Sequence, residues 1–294
     1  MAADASEPGP RLAANGRAEA EAWSLVLAAE GIAHGMLASE GRYFVEVDAG
    51  DAERARTLIA RWASENEPLP EPPPEPYADL RTNAGIWIGL ALIGFFLVTG
   101  EWSDGDPYFR RGSADARRIV TGLELWRIVT ALTLHSDPAH VLGNAFSCAV
   151  FGTLLLRRYG VGVGAWLLLG SGALGNLLTA LWHGSQHRSV GASTALFGAI
   201  GALAATELVR RHRHRRGWQK AWLPIASGVA LLAMLGTGRG SDFTAHAMGL
   251  AAGFALGLAA ARRIATPPSP SAQSALALAT LVAIAAAWAV ALEL

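Results

Sequence analysis

Charge is scarce in this chain. Acidic and basic residues make up 16% of its 294 residues, 24 of each sign, so the formal net charge is zero. That balance removes the broad basic field by which proteins hold phosphate backbones, and no nucleic acid is expected as a partner. Cysteine is scarcer still: one residue, Cys148, excludes an internal disulfide and a thiolate metal cluster, and its apolar setting suits a small buried side chain. No H-E-x-x-H occurs, which excludes the usual zinc-protease helix, and Asp242 stands alone at a span boundary where an aspartic protease needs two intramembrane carboxylates. His183 and His187 have no accompanying carboxylate or cysteine and read as loop residues, so neither a metal nor a cofactor is expected. The opening MAADASEPGPRLAANG has no apolar stretch after a basic start and does not read as a cleavable leader.

What is plentiful is apolar: 52% of residues are hydrophobic and the mean hydropathy is +0.29. Nearly charge-free runs fall at 82–100, 138–156, 159–182, 189–206, 221–238, 243–261 and 272–292. Each approaches or exceeds the roughly 20 helical residues that cross about 30 Å of hydrocarbon. The expected fold is an all-α polytopic membrane protein with the lipid bilayer as its solvent. Arg157 and Arg158, the run RRHRHRRGWQK (210–220), and Arg262 with Arg263 would share one side, against Arg188 and Arg239 in the short loops of the other, whose longer first loop (101–137) offsets five arginines with acidic residues. This favours a cytoplasmic N-terminus and an extracytoplasmic C-terminus. Alanine-rich composition and short loops point to a bacterial inner membrane.

The chain is expected to divide into four parts. Residues 1–66 read as a small soluble cytoplasmic α+β domain of unknown partner, with helix-like AEAEAWSLVLAAEGI, strand-like AHGMLA and RYFVEV, and helix-like DAERARTLIARWAS. Residues 67–81 form a proline-rich linker containing EPLPEPPPEP. Residues 82–261 hold six membrane helices, and 262–294 a second linker, with TPPSP, and a seventh helix.

Polar side chains inside such spans are costly, so each is a functional candidate. The second span opens PAHVLGNAFS, the fourth GASTALFG and the sixth DFTAHAMGLAAG. These three spans enter from the same side, so His140, Asn144, Ser193 and His246, each within two turns of its span's start, lie at one depth near the outer face. His140 and Asn144 are four apart and share a helix face. Gly249, Gly253 and Gly257 lie on the face of His246 and permit a close helix neighbour. If that neighbour is the fourth span, with Gly191, Ala192 and Ala195 around the serine, His246 meets Ser193. An alcohol needs a base within hydrogen-bond reach to become a nucleophile, and a developing oxyanion needs donors. His246 suits the first task, and His140, Asn144 and the helix-start N–H groups suit the second.

With these residues in hand, the segments ELWRIVTALTLHSDPAHVLGNAF, SGALGNL (171–177), GASTALFG and AHAMGLAAG resemble, in order and spacing, the rhomboid intramembrane serine proteases over roughly residues 83–261. The resemblance implies a six-helix rhomboid-like core plus the seventh C-terminal helix. It makes Ser193 the nucleophile and His246 the base of a dyad, with His140 and Asn144 as the oxyanion hole. It puts Trp126 and Arg127 in the membrane-embedded first loop and the aromatic Phe197 on the histidine. A common family pattern has glycine after the serine, where this chain has Thr194. Substrates would be transmembrane proteins cut near the outer face. The other reading is a non-catalytic rhomboid-like protein that binds transmembrane helices.

Overall fold

The structure is a computed structural model that describes residues 9–39, 41–66, 80–213, 226–230, 242–264 and 266–293. The chain divides into two compact units, Met1–Pro74 and Glu75–Leu294. In the first, β1 (Arg11–Ala14), β2 (His34–Ser39) and β3 (Arg42–Val47) form an antiparallel sheet in the order β1-β3-β2. Alternation sends Val45 and Val47 of β3 inward. They meet Ala20, Trp23 and Leu27 of α1 (Arg17–Ala29) and Ala52, Ala55 and Ile59 of α2 (Ala52–Glu65), spaced at three and four residues as a single helix face requires. Strand β1 is absent from the sequence reading. Its four residues carry too short an alternation, and only the pairing Leu12 to Val45 gives them a place in the sheet.

The second unit opens with α3 (Ala84–Thr99) and continues through three short helices, α4 (Pro107–Gly112), α5 (Ala116–Val120) and α6 (Arg127–Thr130), with the two-residue strand β4 (Ala114–Asp115) between α4 and α5. Helices α7 (Pro138–Ser147) and α8 (Thr153–Tyr159) are joined by a π turn at Cys148–Gly152. There follow α9 (Val161–His183), the strand β5 (Arg188–Ser189), α10 (Ser193–Arg213), α11 (Phe243–Arg263) and α12 (Pro270–Glu293). Among the described residues, four segments are long and apolar enough to cross a membrane: Pro138–Tyr159, Val161–His183, Phe243–Arg263 and Pro270–Glu293. Helix α3 is apolar but shorter, at 16 residues, and α10 carries Glu207, Arg210 and Arg211 in its last turns. Of the expected span at 221–238 only residues 226–230 are described, as helix, and the linker residues 67–79 lie outside the described residues.

One boundary differs from the expectation. The fourth span was expected from residue 189, but α10 starts at Ser193, because Arg188 and Ser189 pair with Asp115 and Ala114 as a β ladder and Gly191 has φ +125°, a conformation that ends regular backbone. Ser193 is thereby the first helical residue rather than one inside a continuous span.

Helices α10 and α11 touch backbone to backbone. A Cβ added at Gly249 would stand 2.1 Å from Thr194 O, one at Gly253 1.9 Å from Gly198 O, and one at Gly257 2.4 Å from Ala202 Cα. At these three points α11 carries no side chain, which is how two helices approach without a hydrophobic force between them in lipid.

Candidate active site

The short chain Gly191-Ala192 that leads into α10 is held from outside its own helix. Gly191 N–H donates to Ala131 O at 2.9 Å, and Ala192 N–H to His135 Nε2 at 3.4 Å. Ser193 follows, at the positive end of α10, where first-turn N–H groups have no partner within the helix. On α11, Asp242 Oδ1 accepts from Ala245 N–H at 3.0 Å and caps the helix, and His246 stands one turn further on. The glycine contacts bring the two starts together: Ser193 Oγ lies 2.8 Å from His246 Nε2. With the ring proton on Nδ1, the serine hydroxyl donates to Nε2. Phe197, one turn along α10 and buried, packs its ring on the imidazole with centroids 4.6 Å apart.

Across from the pair, α7 presents its own first turns. Asp137 caps it, accepting from His140 N–H at 2.9 Å. The Ser136 hydroxyl donates to Asp137, and both this bond and the His140 N–H hold the Asp137 carboxyl below its ordinary pKa. His140 Nδ1 accepts from Ser136 N–H at 3.5 Å, which orients the ring with its proton on Nε2. A Cβ on Gly191 would stand 2.7 Å from His140 Nε2 and 3.5 Å from Asn144 Nδ2, so both side chains close on the bare backbone beside Ser193. Asn144 is buried, and its amide nitrogen has no hydrogen-bond partner among the described residues. Leaving such a donor unpaired costs about 1–3 kcal/mol, so its persistence asks for a reason.

These groups line a single cleft of about 1030 Å³ that contains Ser193, His246, His140, Asn144, Gly143 and Phe197, with Trp102, Arg188 and Asp242 also on its wall. Its contents match what acyl transfer needs: a hydroxyl on a base, and donors a few ångströms away. Trp126 and Arg127 are not in this wall. Trp126 Nε1–H donates to Arg111 O at 3.2 Å, and Arg127, 1% exposed, binds Glu124 at 2.6 Å and Ser113 O at 3.0 Å, tying the first loop together. Burial pulls the Arg127 guanidinium below its ordinary value despite the Glu124 partner.

Two groups that sequence reasoning passed over belong here. His135 is fully buried, and burial, with His140 close by, pushes its imidazole down to about 3. It is therefore neutral and able to accept from Ala192 N–H. The second is the contact of His187 Nε2 with Asp242 Oδ2 at 2.8 Å, 55 residues apart in sequence. Burial works to raise the Asp242 pKa, but the His187 contact and the Ala245 N–H outweigh it and leave the carboxyl below its ordinary range. His187, beside the stacked ring of His183, thus joins the loop before Ser193 to the cap of the helix carrying His246.

The Rhomboid domain matches residues 122–263, the stretch from the first loop through α11. RHOMBOID-like protein 6, mitochondrial, of Arabidopsis thaliana is 35% identical over 147 residues, 50% of this chain and 47% of that protein. Rhomboid protease GluP of Bacillus subtilis is 29% identical over 184 residues, covering 59% of this chain and 34% of that protein. Rhomboid-like protease 1 of Toxoplasma gondii is 32% identical over 137 residues, 46% of this chain and 47% of that protein. The chain thus spans about half or less of these relatives. The matched domain contains the whole Ser193 cleft apart from Trp102, and its helices include segments long and apolar enough to cross a bilayer. On these grounds the chain is a rhomboid-family integral membrane protein.

Proposed function

We propose that this protein is an intramembrane serine endopeptidase that cleaves transmembrane segments of other membrane proteins near the outer face of the bilayer. Ser193 attacks the scissile carbonyl carbon while His246 Nε2 takes the hydroxyl proton. The carbonyl π electrons move to oxygen, and the resulting oxyanion receives hydrogen bonds from the Asn144 amide, from His140 with a proton on Nε2, and from the backbone N–H at Ser193. His246 then gives its proton to the leaving amine, and a water activated by the same imidazole releases the acyl group. A substrate helix must unwind locally to present its carbonyl, so small or helix-weakening residues at the cut are expected. The arginine distribution supports a cleft toward the outer face.

One observation carries this reading: a serine–imidazole contact of 2.8 Å shares one cleft with a buried amide donor that has no partner among the described residues. Protein reconstituted in liposomes with a single-span substrate should produce two fragments, and Ser193→Ala or His246→Ala should leave the substrate whole. Equal cleavage by a folded Ser193→Ala protein sinks the proposal. Binding of the substrate span without cleavage by wild type supports the non-catalytic, helix-binding alternative.

A further inference from the structure

Helix α12 is built into the site's foundation. Segment 131–136 serves both halves of the cleft. Its Ala131 O and His135 Nε2 hold Gly191 and Ala192, the leader into Ser193, and its Ser136 hydroxyl contacts His140. In the middle of that segment, Thr133 Oγ1 accepts from Trp288 Nε1–H of α12 at 3.0 Å and donates to Thr130 O at 2.8 Å. Leu134, fully buried, packs with Trp288, Phe109 and Ala291.

The fit around Trp288 is made on both sides. Its ring lies 5.3 Å from that of Phe95 and 5.9 Å from that of Tyr108. A Cβ on Gly112 would meet the ring at 2.5 Å, and Gly112 O in turn accepts from the Thr130 hydroxyl at 2.7 Å. The far end of α12 is held as firmly. Gln273 Oε1 accepts from Gly162 N–H at 2.8 Å and Val163 N–H at 3.1 Å, capping α9, while its amide N–H donates to Tyr159 O at 2.8 Å. A helix bonded at both ends, with glycines cleared for its side chains, is a fixed strut rather than a loosely tethered anchor.

From this geometry we propose that α12 braces the active site and that Trp288 is a positioning residue. It holds segment 131–136, which in turn holds Gly191, Ala192 and His140, and so sets where Ser193 and His140 stand. The consequence for reactivity rests on the catalytic reading above; the brace itself does not. Small misplacements of reacting groups cost about a hundredfold in rate, so Trp288→Ala should slow fluorophosphonate labelling of Ser193 by roughly ten- to a hundredfold. KM for a transmembrane substrate should change much less than kcat, since Trp288 does not line the cleft.

The test uses the full chain in detergent, with labelling rate and amide hydrogen exchange read together on wild type, Trp288→Ala, Trp288→Phe and Thr133→Val. The last two keep most of the packing volume and remove the hydrogen bond, so they carry the test if Trp288→Ala does not fold. Faster exchange across 186–197, with exchange in the second half of α11 unchanged, is the expected result, accompanied by slower labelling. Wild-type exchange and labelling in folded variants that have lost Trp288 or its bond overturn the proposal. A wild type that takes no label but whose variants still exchange faster at 186–197 refutes the catalytic reading and leaves the brace standing.

Discussion

Replacing Gly253 by alanine adds one methyl group, yet the structure gives that methyl no room. Its carbon would stand 1.9 Å from Gly198 O and 2.5 Å from both Gly198 C and Cα. A carbon normally rests about 3.3 Å or more from a carbonyl oxygen, so α10 and α11 must part locally by about 1.4 Å. The obstacle is backbone, which cannot turn aside as a side chain would. Gly253 lies two helical turns from His246, about 10 Å along the axis. A parting of this size, carried to the helix starts, stretches the Ser193–His246 contact from 2.8 Å. The pair then stands near 4 Å, beyond hydrogen-bond reach. Overpacking should cost about 1–3 kcal/mol of stability, which a folded membrane protein can survive. Loss of the general base should cut the rate by about 10²–10⁴-fold. Fluorophosphonate labelling and substrate turnover, measured beside a thermal melt, check this. Gly94→Ala, where an added Cβ meets nothing within 4 Å, is the control and should label like wild type. A folded Gly253→Ala protein that labels at the wild-type rate would refute the claim that this glycine contact sets the dyad distance.

Two further predictions follow from buried polar groups. Asn144→Leu keeps the branched heavy-atom shape and removes a buried donor that has no partner among the described residues, so the melting temperature should hold or rise while kcat falls about 10²–10³-fold; parallel losses of stability and activity would contradict this. His135 has a folded pKa near 3 against 6.5 for an unperturbed histidine. Its neutral form is the one folding retains, so the stability it supports is present above pH 6.5 and is lost as pH falls from there toward 3. Thermal melts between pH 7 and pH 5 should show that loss, and His135→Gln should flatten it; an unchanged pH slope in the variant would count against the neutral, buried assignment.

The site was legible in the sequence because the bilayer makes polar residues expensive. His140, Asn144, Ser193 and His246 stand out in apolar runs at matched depth, and the structure gathers all four around one cleft. Gly249 and Gly253 were readable as a ridge. Their counterpart Gly198 was not, since a small residue in an apolar helix gives no hint of what it faces. His135 sits five residues before His140, in a loop whose burial no local pattern reveals. The His187–Asp242 contact and the β4–β5 ladder join distant segments, and the latter moved the start of α10 to Ser193. Trp126 and Arg127 proved to be bonded within the first loop, away from the cleft wall. Helix α12 reads in sequence as an appended span. Only its Gln273 and Trp288 bonds show that it is part of the core.

The most direct test of the central claim is intact-mass analysis of the detergent-solubilised wild-type protein after incubation with a fluorophosphonate, followed by peptide mapping. An activated Ser193 predicts a single adduct on that residue, absent from Ser193→Ala and from His246→Ala. A folded wild type that forms no adduct, or a His246→Ala protein that labels as fast as wild type, would contradict it.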